Sequence, residues 1–370
     1  MVSRPSGSLK AEVVVPVHRE DRPIRRAVDS VLACPQAGVV VVAHGIDPSV
    51  LDLPDDPRVR VVEVSRNVGK PGAAFNEGVR EVTAPWLGIM GSDDWFEDGA
   101  LDLMMTHLKQ DGADGVIAPL RPDHLSANVV LPVTSRQRNL RGAKDRLFHR
   151  TAPLGLFRTE ILQNPDYSFD EDVVSGEDLK TSTRLWTSGI SISYYASDPA
   201  YVVGSDASSR VTTIEKPLSE HMAALSDLWE SDLINSLSIR ERQDLAEKIF
   251  QVSVVPLFQD RRSREDWGQG DFEWLCDLVA QMQGKAQGFD QGFTRTWNAI
   301  LVSLLERDFN ASMGVIANSR YLDNRLPARV AGLVHRHSWW RKELRRKRVS
   351  ARVQKERSRS SGGDHVSSNR

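Results

Sequence analysis

Apolar residues fall into two rhythms along this chain. Up to about residue 118, short β-branched runs alternate with segments in which apolar residues recur every three or four positions. Residues 11–17 (Ala-Glu-Val-Val-Val-Pro-Val), 39–43, 59–64, 86–90 and 115–118 are too short for helices and end at polar loops, so they predict buried strands. Residues 24–32, 72–82 and 100–108 have helical spacing. Strands alternating with helices predict an α/β fold with a mostly parallel sheet covered on both faces. Ligands of such sheets bind beyond the carboxyl ends of the strands. That rule directs attention to residues 18–21, 43–47 and 91–95. Residues 119–150 are polar, Arg-rich and weakly periodic, and read as a long excursion beside the site. Residues 152–161 and 175–187 return to order, the second as a helix, and 190–195 is strand-like. From residue 217 to about 322 only helical spacing is found, at 218–237, 240–258, 272–282 and 293–305.

A length of 370 residues fits about two domains. The pattern divides them as 1–214, an α/β domain, and 215–335, a helical domain, followed by a basic tail over 336–370. The net charge of −2 conceals an asymmetry: from Arg336 onward there are twelve Lys/Arg against three Asp/Glu. An acidic body with a basic tail suggests an anionic surface as the tail's partner. Residues 336–359 hold Trp339, Trp340, Leu344, Val349 and Val353 among eleven basic residues. Such a segment can lie on an anionic membrane, held mainly by electrostatics. A plain solvated tail is the alternative, and the acidic body argues against nucleic acid. Residues 358–370 are Ser/Arg/Gly-rich, which predicts disorder. Cys34 and Cys276 are far apart in sequence and form no metal-ligand spacing, which fits a reducing compartment. No apolar run reaches membrane-spanning length, and the first ten residues lack an apolar signal core. The expectation is a cytoplasmic protein, peripheral at the inner face of the plasma membrane if the tail binds lipid.

The segment Trp86-Leu-Gly-Ile-Met-Gly-Ser-Asp-Asp-Trp95 delivers two adjacent acids, Asp93 and Asp94, to a strand end. One or two carboxylates suffice to bind a hard divalent cation when phosphate oxygens and water complete its shell. Such a cation stabilises a departing diphosphate. A solvated acidic turn is the bland alternative. A second pair, Glu177 and Asp178, precedes the predicted helix, where acids also serve as caps and complement the helix dipole.

Four segments together resemble the inverting glycosyltransferases of family two. They are Val13-Val-Val-Pro-Val-His-Arg-Glu20, Asn67-Val-Gly69 with Ala73-Ala-Phe-Asn-Glu-Gly78, Gly91-Ser-Asp-Asp94, and Ser175-Gly-Glu-Asp-Leu-Lys-Thr-Ser-Thr-Arg-Leu-Trp186. The resemblance spans roughly residues 11–205. It implies a GT-A fold and a nucleoside-diphosphate-sugar donor contacted by Pro16, Val17, His18, Glu20, His44, Asn67, Lys70 and Asp93. It implies Mn2+ or Mg2+ at Asp93 and Asp94, and a glycan or lipid-linked acceptor, with a surface polysaccharide or wall polymer as product. It also implies Asp178 as the base that deprotonates the acceptor, with Glu177 orienting the acceptor or Asp178. Amide groups at the helix start would hold the Asp178 side chain in place.

Three departures qualify the resemblance. Where the family's second strand ends in an acid that pairs with the nucleotide base, this chain has Ala43-His44. The first acid of the metal motif is Gly91, and the usual Arg before Asn76 is Phe75. Lys70 is a candidate source of the missing charge, and Trp95 a candidate wall of the sugar site. Arg136, Arg138, Arg141, Arg146 and Arg150 form a basic cluster that could meet an anionic acceptor, or simply be a solvated loop. A loop over 205–210 is a candidate lid carrying Arg210. Losing two acids is also what an impaired, merely sugar-nucleotide-binding relative would show. Nucleotidyl transfer and dinucleotide binding fit less well, because no glycine-rich loop follows the first strand.

Overall fold

The computed structural model describes residues 8–150, 152–206, 217–261, 263–317, 328 and 338–363. Its strands are β1 (Ala11–Val17), β2 (Ala37–His44), β3 (Val59–Val64), β4 (Trp86–Ile89), β5 (Trp95–Phe96), β6 (Gly115–Ile117), β7 (Leu120–Pro122), β8 (Gly155–Arg158), β9 (Ile192–Tyr194) and β10 (Tyr201–Val203). Seven of them make one sheet in the order β3-β2-β1-β4-β8-β6-β9. β1 runs parallel to β2 and β4, β2 to β3, and β6 to β9, while β8 lies antiparallel between β4 and β6. The strand order changes direction at β1, a switch point of the kind that opens a crevice at the strand ends. β1 and β2 are buried almost throughout, which is why they are written as continuous Val runs.

The first unit's helices are α1 (Ile24–Leu32), α2 (Gly72–Glu81), α3 (Ala100–Asp111), α4 (Gly142–Asp145), α5 (Thr159–Leu162) and α6 (Leu179–Thr187). α1 buries Ile24, Ala27, Val28 and Val31 at helical spacing. α2 sits so close to the sheet that a Cβ at Gly78 would stand 2.3 Å from Val14 Cγ1. α6 starts at Leu179, later than the spacing from 175 predicts, because Gly176 adopts φ +80° and breaks the helical run. A second, three-stranded sheet, β5-β10-β7, brings the chain after the acid pair beside residues 201–203. The excursion at 119–150 is more ordered than its weak periodicity suggests, since it contains β7, α4 and a 3-10 turn at Leu147–His149.

The chain divides into two compact units, Met1–Ile214 with Val349–Arg370, and Glu215–Arg348. Within the second, the span expected as one helix at 218–237 is three: α7 (Leu218–His221), α8 (Ala223–Glu230) and α9 (Asp232–Ser236). α10 (Ile239–Ile249) opens with a Ser238–Glu241 capping box. A π-helical turn at Phe250–Val254 leads into α11 (Val255–Asp260), where Pro256 has no N–H to continue the α ladder. α12 (Asp271–Lys285), α13 (Arg295–Leu305) and α14 (Phe309–Ala317) follow. Trp229, Phe250, Phe258 and Phe293 are fully buried in this unit. The last helix, α15 (Trp339–Gly363), continues through residues expected to be disordered; 364–370 lie outside the described residues. Its Val349 and Val353 are buried, and Arg352 Nη1 donates to the Ser135 carbonyl at 3.0 Å. Trp340 and Leu344, one turn apart, are exposed. No described helix is long and apolar enough to cross a membrane.

Candidate active site

The carboxyl ends of β1, β2 and β4 open on a cleft of about 170 Å³, whose walls include Val17, His18, Arg22, His44, Phe75 and Asp93. Pro16 lines it too, in register with Val42 and beyond the last β1–β4 pair, so its missing N–H costs that ladder nothing. His44 is buried and its Nε2 donates to the Arg66 carbonyl at 2.9 Å. Burial, then the charges of Arg22 and His44, hold the His18 imidazole below its usual pKa. A neutral ring at pH 7 can stack on a flat partner such as a nucleobase.

The acid pair is not symmetric. Asp94 Oδ2 accepts from the Tyr201 hydroxyl at 2.5 Å, and Oδ1 from the Gly204 amide at 2.9 Å. Tyr201 is fully buried, and its pKa is pushed well up by burial and by Asp94. Gly204 packs so tightly that a Cβ there would fall 1.9 Å from the Asp93 carbonyl oxygen. Asp94 therefore pins β4's exit turn to β10. Asp93 faces the cleft, with Oδ2 2.9 Å from Arg22 Nη1. The Arg22 side chain is only 8% exposed, and its buried Nε and Nη1 make no hydrogen bond, so the contact with Asp93 is one of charge rather than alignment. Both carboxylates fold over Gly91: a Cβ there would meet Asp94 Oδ2 at 2.8 Å and Asp93 Oδ1 at 3.2 Å. The volume that a first acid would fill is taken by its neighbours. Among the described residues no group of three or more His, Cys, Asp or Glu is arranged to hold a metal ion.

Glu177 and Asp178 sit at the start of α6. Asp178 occupies the N-cap position, but its side chain makes no capping hydrogen bond, contrary to the expectation from sequence. The reason is its helical backbone (φ −87°, ψ −7°), whereas a capping side chain needs the extended conformation to reach back to the first amides. Glu177 is half-buried by surface exposure yet densely surrounded; burial first, and then the charge of Asp178, raise its carboxyl to about 8. Neither acid is among the residues lining the cleft, and the segment leading to the pair is tied to α2 and its neighbours. Asn76 bonds Phe169 in both directions and donates to Glu171, Arg66 pairs with Glu171, and Lys180 pairs with Asp170.

Of the other residues singled out from sequence, Glu20 is exposed and does not line the cleft. Asn67 is exposed in a left-handed turn (φ 52°) and receives the Lys70 amide on its carbonyl. The positive charge of Lys70 acts on Asp170. Trp95 stacks under the Arg26 guanidinium at 4.0 Å. The basic cluster of the excursion is used internally. Arg136 pairs with Asp145, Arg138 with Asp111, Arg141 donates to the Gly189 carbonyl, Arg146 contacts His149, and Arg150 is 1% exposed. Arg210 and residues 207–210 of the suggested lid lie outside the described residues. Sequence reasoning passed over Arg22 and Tyr201. Arg22 follows His18 by four residues and was readable as a loop cation, whereas Tyr201 is 107 residues from Asp94 and carries no local signal.

The profile of glycosyl transferase family 2 matches residues 12–163. The succinoglycan biosynthesis protein ExoO of Rhizobium meliloti (strain 1021) is 30% identical over 190 residues, 45% of this chain and 52% of that one. The chain thus matches about half the length of this curated relative. S. aureus TarS 1–349, in a crystal structure with UDP-GlcNAc, superposes with a TM-score of 0.68 at 18% identity, covering 84% of this chain and 92% of that one. The crystal structure titled simply S. aureus TarS gives 0.61 at 17%, covering 84% and 55%. At such identities the likeness establishes the GT-A-type fold.

Proposed function

We propose that this chain, whose residues 12–163 belong to glycosyl transferase family 2, moves a sugar from a nucleoside-diphosphate donor to a glycan or lipid-linked acceptor with inversion. The observation that carries the proposal is the cleft at the strand switch point, where His18, His44, Arg22 and Asp93 converge. The neutral His18 ring suits a base, and the charged end suits a diphosphate. The name of ExoO supports a polysaccharide as product, and the UDP-GlcNAc bound to TarS 1–349 supports a sugar nucleotide as donor.

A divalent cation, Mn2+ or Mg2+, would be met here first by Asp93, which faces the cleft, with Asp94 held beside it by Tyr201 and Gly204 and Gly91 contributing no ligand. Asp93 would hold the ion together with phosphate oxygens and water, and the ion would supply charge neutralisation to the departing diphosphate. In the transfer itself, Asp178 takes the proton of the acceptor hydroxyl as its oxygen bonds the anomeric carbon. The bond from that carbon to the phosphate oxygen breaks on the opposite face. Glu177 keeps its proton to about pH 8 and donates a hydrogen bond to Asp178 or to the acceptor. No covalent intermediate forms.

The basic helix would bring the enzyme to an anionic membrane at the cytoplasmic face. Because Val349 and Val353 are buried, the lipid-facing part is confined to the turns bearing Trp340 and Leu344. A panel of sugar nucleotides, screened by thermal shift with and without manganese and then by donor hydrolysis, tests the proposal. Stabilisation by one donor with turnover supports it. A donor that binds without ever being turned over, with any acceptor offered, selects the impaired binding protein instead. No binding at all removes both.

A further inference from the structure

We infer that Arg22 is a binding residue for the donor diphosphate, resting on Asp93 while the cleft is empty and turning to phosphate oxygens when the donor is seated. The inference deepens the reading of this cleft as the donor site and rests on it.

Three observations carry it. The first is placement. Arg22 lies on the loop after β1 and lines the cleft with His18 and Asp93. Among the described residues of that lining it carries the permanent positive charge. The second is an unmet demand. Its side chain is more than nine-tenths buried, yet Nε has no hydrogen-bond partner and Nη1 meets Asp93 Oδ2 at 2.9 Å without hydrogen-bond alignment. A desolvated guanidinium with idle donors is costly unless an anion completes it. The planar fork of Nε and Nη groups matches two oxygens of a phosphate better than a point charge does. The third is the lack of a substitute. Phe75 stands where a cation is usual, Lys70 is not among the residues lining the cleft, and Arg26 is engaged by the Trp95 ring, the Asp93 carbonyl and Asp206. Asp93, 2.9 Å away, then has two roles: it holds Arg22 in the cleft before the donor arrives, and it presents negative charge to a metal ion afterwards.

Calorimetric titration in EDTA of the intact chain tests this, using UDP, GDP, ADP, CDP and dTDP and the nucleoside of whichever binds best. Arg22→Gln should weaken the diphosphate about 10- to 100-fold and leave the nucleoside within about twofold. Arg22→Lys should fall between, because it keeps charge but loses the fork. Asp93→Asn should bind the diphosphate at least as well as the unaltered chain, since Arg22 is released. Equal weakening of diphosphate and nucleoside in Arg22→Lys, or an Asp93→Asn variant that loses the diphosphate, assigns Arg22 a structural role and overturns the inference. Those two variants decide the matter even if Arg22→Gln does not fold. If the unaltered chain binds a diphosphate and Arg22→Gln binds it equally, the inference alone fails. If the unaltered chain binds none of the five, the donor-site reading fails with it.

Discussion

Two acid pairs, Asp93-Asp94 and Glu177-Asp178, look alike in sequence and are treated in opposite ways by the fold. The first is surrounded by donors and a cation. Tyr201 and Gly204 hold Asp94, and Arg22 faces Asp93. In the second, burial first and then the charge of Asp178 raise the Glu177 carboxyl to about 8. Charge-stabilised carboxylates are suited to meeting cations and to fixing a turn. A carboxyl that keeps its proton to near neutrality beside a second acid is suited to moving protons. On the proposed function, the difference would separate a pair that binds from a pair that reacts, though both read as two consecutive acids.

The largest test of that contrast is Asp178→Asn. If this pair carries the proton transfer, kcat should fall about 10²- to 10⁴-fold while donor affinity stays within a few-fold. A variant that turns over at the normal rate breaks the contrast. Next comes Glu177→Gln. The folded carboxyl has its pKa raised from 4.5 to about 8, so its contribution to stability is complete below pH 4.5 and is lost as pH rises to about 8. Denaturant titrations should therefore show the Gln variant gaining on the unaltered chain by about 2–4 kcal/mol between pH 5 and 8 and then levelling. The alkaline limb of the activity profile near pH 8 should disappear as well. A stability gap independent of pH would mean that Glu177 titrates like a solvated acid.

Smaller effects probe the first pair. Tyr201→Phe removes the hydroxyl donor to Asp94 and should cost about 1–3 kcal/mol of stability, read as a lower melting temperature. Its effect on donor binding should be smaller than that of any change at Arg22. The smallest effect expected is that of Gly91→Ala. The added methyl meets both carboxylates at 2.8–3.2 Å and should destabilise by about 1 kcal/mol. Restoring the usual first acid by Gly91→Asp should do no better, because its side chain would enter space already filled by like charge. Improved metal affinity in that variant would show that the exit turn relaxes.

Much of the first unit was legible because its signals are local. Val runs at 11–17 and 39–43 can bury themselves only as sheet interior, and the helical spacing of Ile24, Val28 and Val31 needs one apolar face. β8 and the small β5-β10-β7 sheet were not legible. Their strands are two to four residues long, and their partners lie far away in sequence. The breaks within 218–237 and the late start of α6 escaped for a related reason, since apolar spacing continues across turns that only backbone angles reveal. The Arg cluster of the excursion shows a limit of charge composition. Composition cannot say which exposed guanidinium also pairs with a carboxylate of another element, as Arg138 does with Asp111.

By itself, then, the sequence determined the alternation of strands and helices, the strand end that delivers Asp93 and Asp94, and the second acid pair ahead of a helix. Each of these follows from residue type and spacing within a dozen positions. Only the tertiary structure decided which acids hold the turn, which faces the cleft and which keeps its proton. Hydrogen bonding, desolvation and charge pairing act over a few ångströms of space, and the groups that set them, Tyr201, Gly204 and Arg22, reach the acids from 70 to 110 residues away.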